Sequence, residues 1–198
     1  MTGSQPGGAA DELVLAARAA GVGDQRVLEA MRATPRESFV PAQHAGIAYS
    51  DQPVPIAHGQ VTSQPSLVAM MVAALSLTGS EKVLEVGTGY GYQTALLARL
   101  AAQVITIEFW PDMAARARRN LAGQAIGNVT VIAGDGSQGA PEHAPFDAII
   151  ISAAFPQVPP PLTGQLAADG RLVQPIGPGG NEDVALYRRT GSGLSRVR

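Results

Sequence analysis

The chain has 198 residues, 45% apolar and 15% charged, with a net charge of −2, which suits a single domain with a sizeable core. A near-neutral balance without a clustered basic face speaks against a nucleic-acid partner, and the lack of cysteine removes a disulfide framework, thiolate-bound zinc and a thiol nucleophile together. No apolar run reaches the length of a membrane span, the first residues lack the pattern of a secretion signal, and His44, His58 and His143 are widely spaced, so a cytoplasmic protein without a bound metal or membrane contact is expected.

Residues 1–10 are Gly-rich and read as a flexible tail, with 11–198 as one domain. Helical spacing runs from Asp11 to about Ala20, where Gly21 and Gly23 stop it. Asp24 can cap a second helix over 25–34, closed by Pro35. Residues 36–65 hold Pro41, Pro53, Pro55 and Pro65 without a clear period, which predicts a long irregular connection of the kind that is often functional. It ends in "AHGQVTSQPS", rich in short polar side chains. An apolar helix follows from Ser66 to Leu77. From Lys82 the pattern alternates. Strands are predicted at 82–86, 103–108, 129–135, 146–152, 171–176 and 182–189, with helices at 91–101, 111–124 and 160–169. The basic run Arg116, Arg118 and Arg119 reads as a solvated helix face. Such alternation predicts a mostly parallel sheet with helices on both faces, here with 79–198 as a cofactor-binding core and 11–78 as an N-terminal cap over the strand ends.

The segment "VLEVGTGYGYQTALLARL" carries the chemistry. A strand ends at Val86, then Gly87, Gly89 and Gly91 alternate with Thr88 and Tyr90, and a helix begins. Glycines let the backbone turn sharply against a ligand, and a helix start offers free N–H groups and a positive dipole end. A dinucleotide pyrophosphate or the carboxylate of S-adenosylmethionine could sit there. Glu85 completes an E-x-G-x-G-x-G arrangement, the form of Rossmann-like methyltransferases. Glu108 ends the next strand, where a carboxylate accepts from ribose hydroxyls. Asp135, followed by Gly136, ends the third and can accept from an adenine amine.

"FVP" (39–41), "AYSDQPVPIAHGQVTSQP" (48–65), "VLEVGTGYGYQTALLA" (83–98), "VITIE" (104–108), "GDGSQG" (134–139) and "FDAIIISAAFPQVPPPL" (146–162) resemble successive blocks of the protein-L-isoaspartate O-methyltransferase family. The resemblance implies a class I Rossmann-like fold. It also implies methyl transfer from S-adenosylmethionine, leaving S-adenosylhomocysteine, to the free α-carboxylate of L-isoaspartyl residues in proteins or peptides. The ester then closes to a succinimide whose hydrolysis restores some aspartate. It implies Ser63 as the catalytic residue beside the acceptor, and Thr62, Gln64 and Ala154 as substrate-binding. The cofactor set is Glu85, Gly87, Thr88, Gly89, Gly91, Glu108, Asp135 and Gly136, and a monomer is expected. His58 reads as a structural loop residue bonded to backbone, because an ionised carboxylate needs no base. Ser63 or Thr62 could instead cap the helix that follows. Thr62 stands one place from the family's usual threonine, and the chain stops where the family continues with a closing segment. A tailoring enzyme for one partner peptide, a non-catalytic cofactor-binding module and, more remotely, a nicotinamide oxidoreductase are the alternatives.

Overall fold

The computed structural model describes residues 6–152, 157–176, 183–191 and 193–197. Helix α1 (Pro6–Ala19) starts at Pro6 rather than Asp11. Proline suits the first helical turn, and Ala10 is already buried, so residues 6–10 are not tail. Helix α2 (Gln25–Arg32) begins as predicted, with Asp24 accepting from the Arg26 N–H at 2.9 Å.

The connection at 36–65 is less irregular than its prolines suggest. It forms short 3-10 turns at Arg36–Phe39, Ala42–Ile47 and Ala57–Gly59. Two-residue strands β1 (Val54–Pro55) and β2 (Val61–Thr62) pair antiparallel, with Val54 opposite Thr62. A ladder this short has no room for the alternation that announces a strand. The hairpin turn needs left-handed backbone at His58, φ 57°, and Gly59, φ 68°.

Helix α3 (Pro65–Ala74) leads to the main sheet, built from β3 (Lys82–Val86), β4 (Gln103–Glu108), β5 (Val129–Ala133), β6 (Phe146–Ile151), β7 (Leu166–Ile176), β8 (Asp183–Thr190) and β9 (Gly193–Arg196). The spatial order is β5-β4-β3-β6-β7-β8-β9. Strands β3 to β7 run parallel, and β8 and β9 are antiparallel. Helices α4 (Tyr92–Leu100), α5 (Pro111–Gly123) and α6 (Pro160–Gln165) complete the fold.

Side chains alternate across the sheet. Val83, Val104, Ala148 and Ile150 join one core with Leu13, Leu28, Met71 and Leu97, from α1, α2, α3 and α4. Leu84, Ile105, Ile149 and Ile151 face the other core with Leu162 of α6. Thus α1–α3 cover a face of the sheet, and the loop between α2 and α3, with Val68 of α3, reaches the strand ends.

Two further differences mark the second half. The helix predicted over 160–169 ends at Gln165. The Gln165 amide is clamped, accepting from Ala140 N–H and donating to Gln138 O, both at 2.8 Å. Leu166 then enters the sheet opposite Phe146, and the register shifts before Ala148 meets Arg171. Leucine and alanine at 166–168 suit a helix by propensity, and burial of Leu166 in the sheet overrides it. Strand β9 had no period of its own and was not foreseen; it closes the edge by pairing with β8.

Candidate active site

Chain direction across the sheet reverses at β3, which lies between β4 and β6. A crevice opens beyond the carboxyl ends of parallel strands at such a switch point. Here it holds a cavity of about 410 Å³. One wall carries Gly87, Thr88, Gly89, Glu108, Asp135 and Gly136, and the other carries Ile56, Gln60, Val61, Thr62 and Ser63. Residues from opposite halves of the chain therefore share one cavity.

The glycine wall is a tight turn between β3 and α4. Gly87, Gly89 and Gly91 have φ of 95°, 57° and 97°, a region that side chains rarely tolerate. Gly91 is the N-cap of α4 and does not line the cavity. A Cβ there would meet Leu121 Cγ at an ordinary contact distance of 3.4 Å, so it is the positive φ rather than the packing of α5 that calls for glycine. Glu108 is buried at the end of β4. Its Oε2 accepts from the Gly89 N–H at 2.7 Å and its Oε1 from the Trp110 N–H at 3.1 Å. A carboxylate offers about four acceptor positions, so hydroxyls can still bind. Asp135 is exposed and caps the turn Gly136–Gln138, accepting from Ser137 N–H at 2.9 Å. That bond, with the Ser137 side chain, holds its carboxyl below the usual range.

Glu85 lies behind the crevice, fully buried. Its oxygens accept from Gln93 Nε2 at 2.9 Å, Thr94 Oγ1 at 2.5 Å and Thr106 Oγ1 at 2.7 Å. Burial raises its carboxyl to about 7 despite those donors. Gln93 also reaches Ser152 Oγ at 2.7 Å, and both line the cavity. Glu85 thus acts on the crevice wall through Gln93.

On the facing wall, Thr62 and Ser63 reach the cavity, whereas Gln64 turns away and donates to Asp51 Oδ2 at 2.9 Å. Asp51 Oδ1 accepts from the Ser66 N–H at 2.8 Å. The start of α3 is therefore satisfied by Asp51 from a distance, and neither Ser63 nor Thr62 caps it. Ala154 lies outside the described residues. His58 departs from expectation: its partner is the Asp112 carboxylate, at 2.9 and 3.0 Å, rather than backbone. Its ring stacks on Trp110 with centroids 4.0 Å apart. Arg116 is not merely solvated, since its guanidinium lies 4.5 Å from the centre of the Tyr90 ring.

Sequence reading missed Arg36, Asp51 and Trp110. Trp110 was findable as an aromatic two places after Glu108 at a strand end. Arg36 and Asp51 act on partners far along the chain and carry no local signal.

The uncapped start of α4, carboxylates at two successive strand ends and the apolar surfaces of Ile107 and Phe109 meet in this cavity. That donor and acceptor set fits the amino-acid, ribose and adenine parts of S-adenosylmethionine. The fold and site define a class I S-adenosylmethionine-dependent methyltransferase.

The profile of the protein-L-isoaspartate(D-aspartate) O-methyltransferase family matches residues 9–198. A protein-L-isoaspartate O-methyltransferase of Methanoculleus marisnigri is 51% identical over 175 residues, covering 88% of this chain and 80% of that one. One of Anaeromyxobacter dehalogenans is 51% identical over 179 residues, covering 89% and 86%. Among solved structures, a protein-L-isoaspartate O-methyltransferase superposes with TM-score 0.78 at 26% identity, over 96% of this chain and 64% of that one. A Plasmodium falciparum structure of the same family name, in complex with S-adenosyl-L-homocysteine, gives 0.75 at 25% identity, over 95% and 93%. The chain belongs to the protein-L-isoaspartate(D-aspartate) O-methyltransferase family, and with it to the S-adenosylmethionine-dependent carboxyl methyltransferases.

Proposed function

We propose that this crevice transfers a methyl group from S-adenosylmethionine to the free α-carboxylate of L-isoaspartyl residues in proteins or peptides, the step that leads through a succinimide to repair. The observation that carries this reading is the placement of Thr62 and Ser63 across one cavity from the glycine turn.

The bound cofactor supplies an electrophilic methyl on a positively charged sulfur. The chain has to orient the acceptor and exclude water. An α-carboxylate is ionised near neutral pH and needs no base. Thr62 and Ser63 offer hydroxyl donors that can hold one carboxylate oxygen while leaving lone pairs on the other free to attack. Among the described residues lining the cavity there is no arginine, lysine or histidine. A cation there would compete with the methyl for the same lone pairs. Glu108 would take the ribose hydroxyls, Asp135 the adenine amine, and the first-turn amides of α4 the cofactor's carboxylate, since the Gly87, Gly89 and Gly91 amides are bonded within the chain. His58, engaged with Asp112 and Trp110, is not needed as a base.

We further read the protein as a cytoplasmic monomer without nucleic-acid partners. The net charge of −2 and the two carboxylates lining the cavity support the last point. Of the exposed large apolar residues described, Val61 and Phe109 belong to the cavity, which leaves only Leu15 and Val197 outside it and supports the monomer. Among the described residues, no helix is long and apolar enough to cross a membrane. The test is methyl transfer with labelled cofactor to an isoaspartyl peptide and to its ordinary aspartyl counterpart. Labelling of the isoaspartyl peptide alone is expected. Labelling of the aspartyl peptide alone would transfer the reading to a peptide-tailoring enzyme.

A further inference from the structure

One buried cation lies outside the cavity. Arg36, in the turn after α2, has no solvent-exposed surface. Its Nη1 donates to Ala48 O at 3.0 Å and Ser50 O at 3.1 Å, and its Nη2 donates to Gln52 O and Ser63 O, each at 3.1 Å. One planar group thus gathers four backbone carbonyls spread from position 48 to position 63. The guanidinium also lies 5.6 Å from the centre of the Tyr92 ring. Tyr92 opens α4 directly after the glycine turn and lines the cavity. Arg36 therefore touches both walls from behind, through the Ser63 carbonyl on one side and the first residue of α4 on the other.

Burying a guanidinium is expensive unless its donors are met, and a loop could be stapled more cheaply with apolar contacts. What the fork adds is geometry. Four of its five N–H groups, held in a rigid plane, fix the relative positions of four acceptors at once while the buried Nε has no partner, an arrangement a lysine ammonium on a flexible stem cannot reproduce. The carbonyl it fixes nearest the cavity is that of Ser63, the residue whose hydroxyl faces the acceptor in the function proposed above. We propose that Arg36 is a positioning residue for methyl transfer. It sets the depth and direction of Ser63 relative to the glycine turn by holding the Ser63 carbonyl and the Tyr92 ring on one guanidinium. This rests on the reading of the site as an isoaspartyl methyltransferase.

The test is a double-mutant cycle with Arg36→Lys, Ser63→Ala and the pair, read as kcat/KM for an isoaspartyl peptide, with S-adenosylhomocysteine affinity by calorimetry and thermal melting alongside. Arg36→Lys is expected to lower kcat/KM about tenfold or more per folded molecule, with cofactor affinity within about threefold, as for a group acting on one wall only. If Arg36 acts through Ser63, the double variant falls no more than about twofold below the weaker single variant. Losses that multiply overturn the proposal, as does an Arg36→Lys protein that melts lower but turns over normally. Arg36→Gln, which leaves no buried charge, is run in parallel. Failure of both variants to fold assigns Arg36 to the fold alone and also overturns it. Absence of wild-type turnover overturns the function and this proposal together, whereas wild-type turnover with a flat Arg36→Lys overturns this proposal only.

Discussion

Along the glycine wall, three residues within five positions take left-handed backbone, and the carboxylate that steadies them ends the neighbouring strand. Along the facing wall, Ser63 is placed by Arg36 from 27 positions away, and α3 is capped by Asp51 from 15 positions away. The first wall is made by local backbone preference on a sheet. The second is made by long-range polar contacts to a loop whose own structure is only short 3-10 turns and a two-residue hairpin ladder. The walls should therefore fail separately: changes on the first should cost cofactor binding, and changes on the second should cost acceptor turnover.

The sharpest way to break that separation is Glu108→Ala. It removes an acceptor of ribose hydroxyls and also leaves the Gly89 and Trp110 N–H groups without partners. S-adenosylmethionine affinity should fall by about 1–3 kcal/mol, the range for hydrogen bonds to a charged group. Unchanged affinity by calorimetry in a folded variant would remove Glu108 from the site. Next comes Ser63→Ala, which should lower kcat/KM for the isoaspartyl peptide about tenfold or more, or roughly 1.4 kcal/mol of transition-state stabilisation. Because Asp51 holds the start of α3, melting temperature and cofactor affinity should barely move. Should Ser63→Ala weaken cofactor binding as much as turnover, the walls are not independent.

Glu85 tests the support beneath the glycine wall. Its folded carboxyl is raised by burial to about 7, so between about pH 5 and 7 the folded protein keeps a proton that the unfolded chain has released. Stability from this group should fall as pH rises through that window, by at most about 1.4 kcal/mol per unit. Urea titrations at pH 5, 6 and 7 should show the slope in the wild type and its loss in Glu85→Gln; parallel slopes would show that Glu85 is ionised throughout. Asp51→Ala should cost about 1 kcal/mol of stability as a lost helix cap, with a fall in acceptor turnover and no change in cofactor affinity. The smallest effect is expected at His58. Its contact with Asp112 is solvent-exposed, and His58→Gln should change kcat/KM by less than about threefold, in keeping with the small worth of exposed ion pairs. A collapse of activity at His58 with little change at Ser63 would point to an acceptor that must lose a proton.

The same contrast explains what could be read from the sequence. Strands β3, β4 and β6 are short apolar runs next to helical periods, and period is a local property. Gly87, Gly89, Gly91, Glu108 and Asp135 mark strand ends, and strand ends of a parallel sheet converge by topology. The segment 166–170 was misread because leucine and alanine serve a helix as well as a buried strand, and only the partner strand decides. The bond from Gln64 to Asp51 could not be read from the sequence, because one residue beyond Ser63 the chain has begun to turn into α3 and only the fold brings Asp51 there. The hub at Arg36 left no trace because its partners are backbone carbonyls, and every residue has one.

Glu108 holds the Gly89 and Trp110 amides within the folded chain itself, and this bears on how much of a ligand's interaction energy becomes affinity. A glycine-rich turn is ordinarily the most entropically costly backbone to order. Here an internal carboxylate bonds the bend from within the chain. To the extent that this carboxylate already holds the turn, less of a cofactor's interaction energy goes into freezing it.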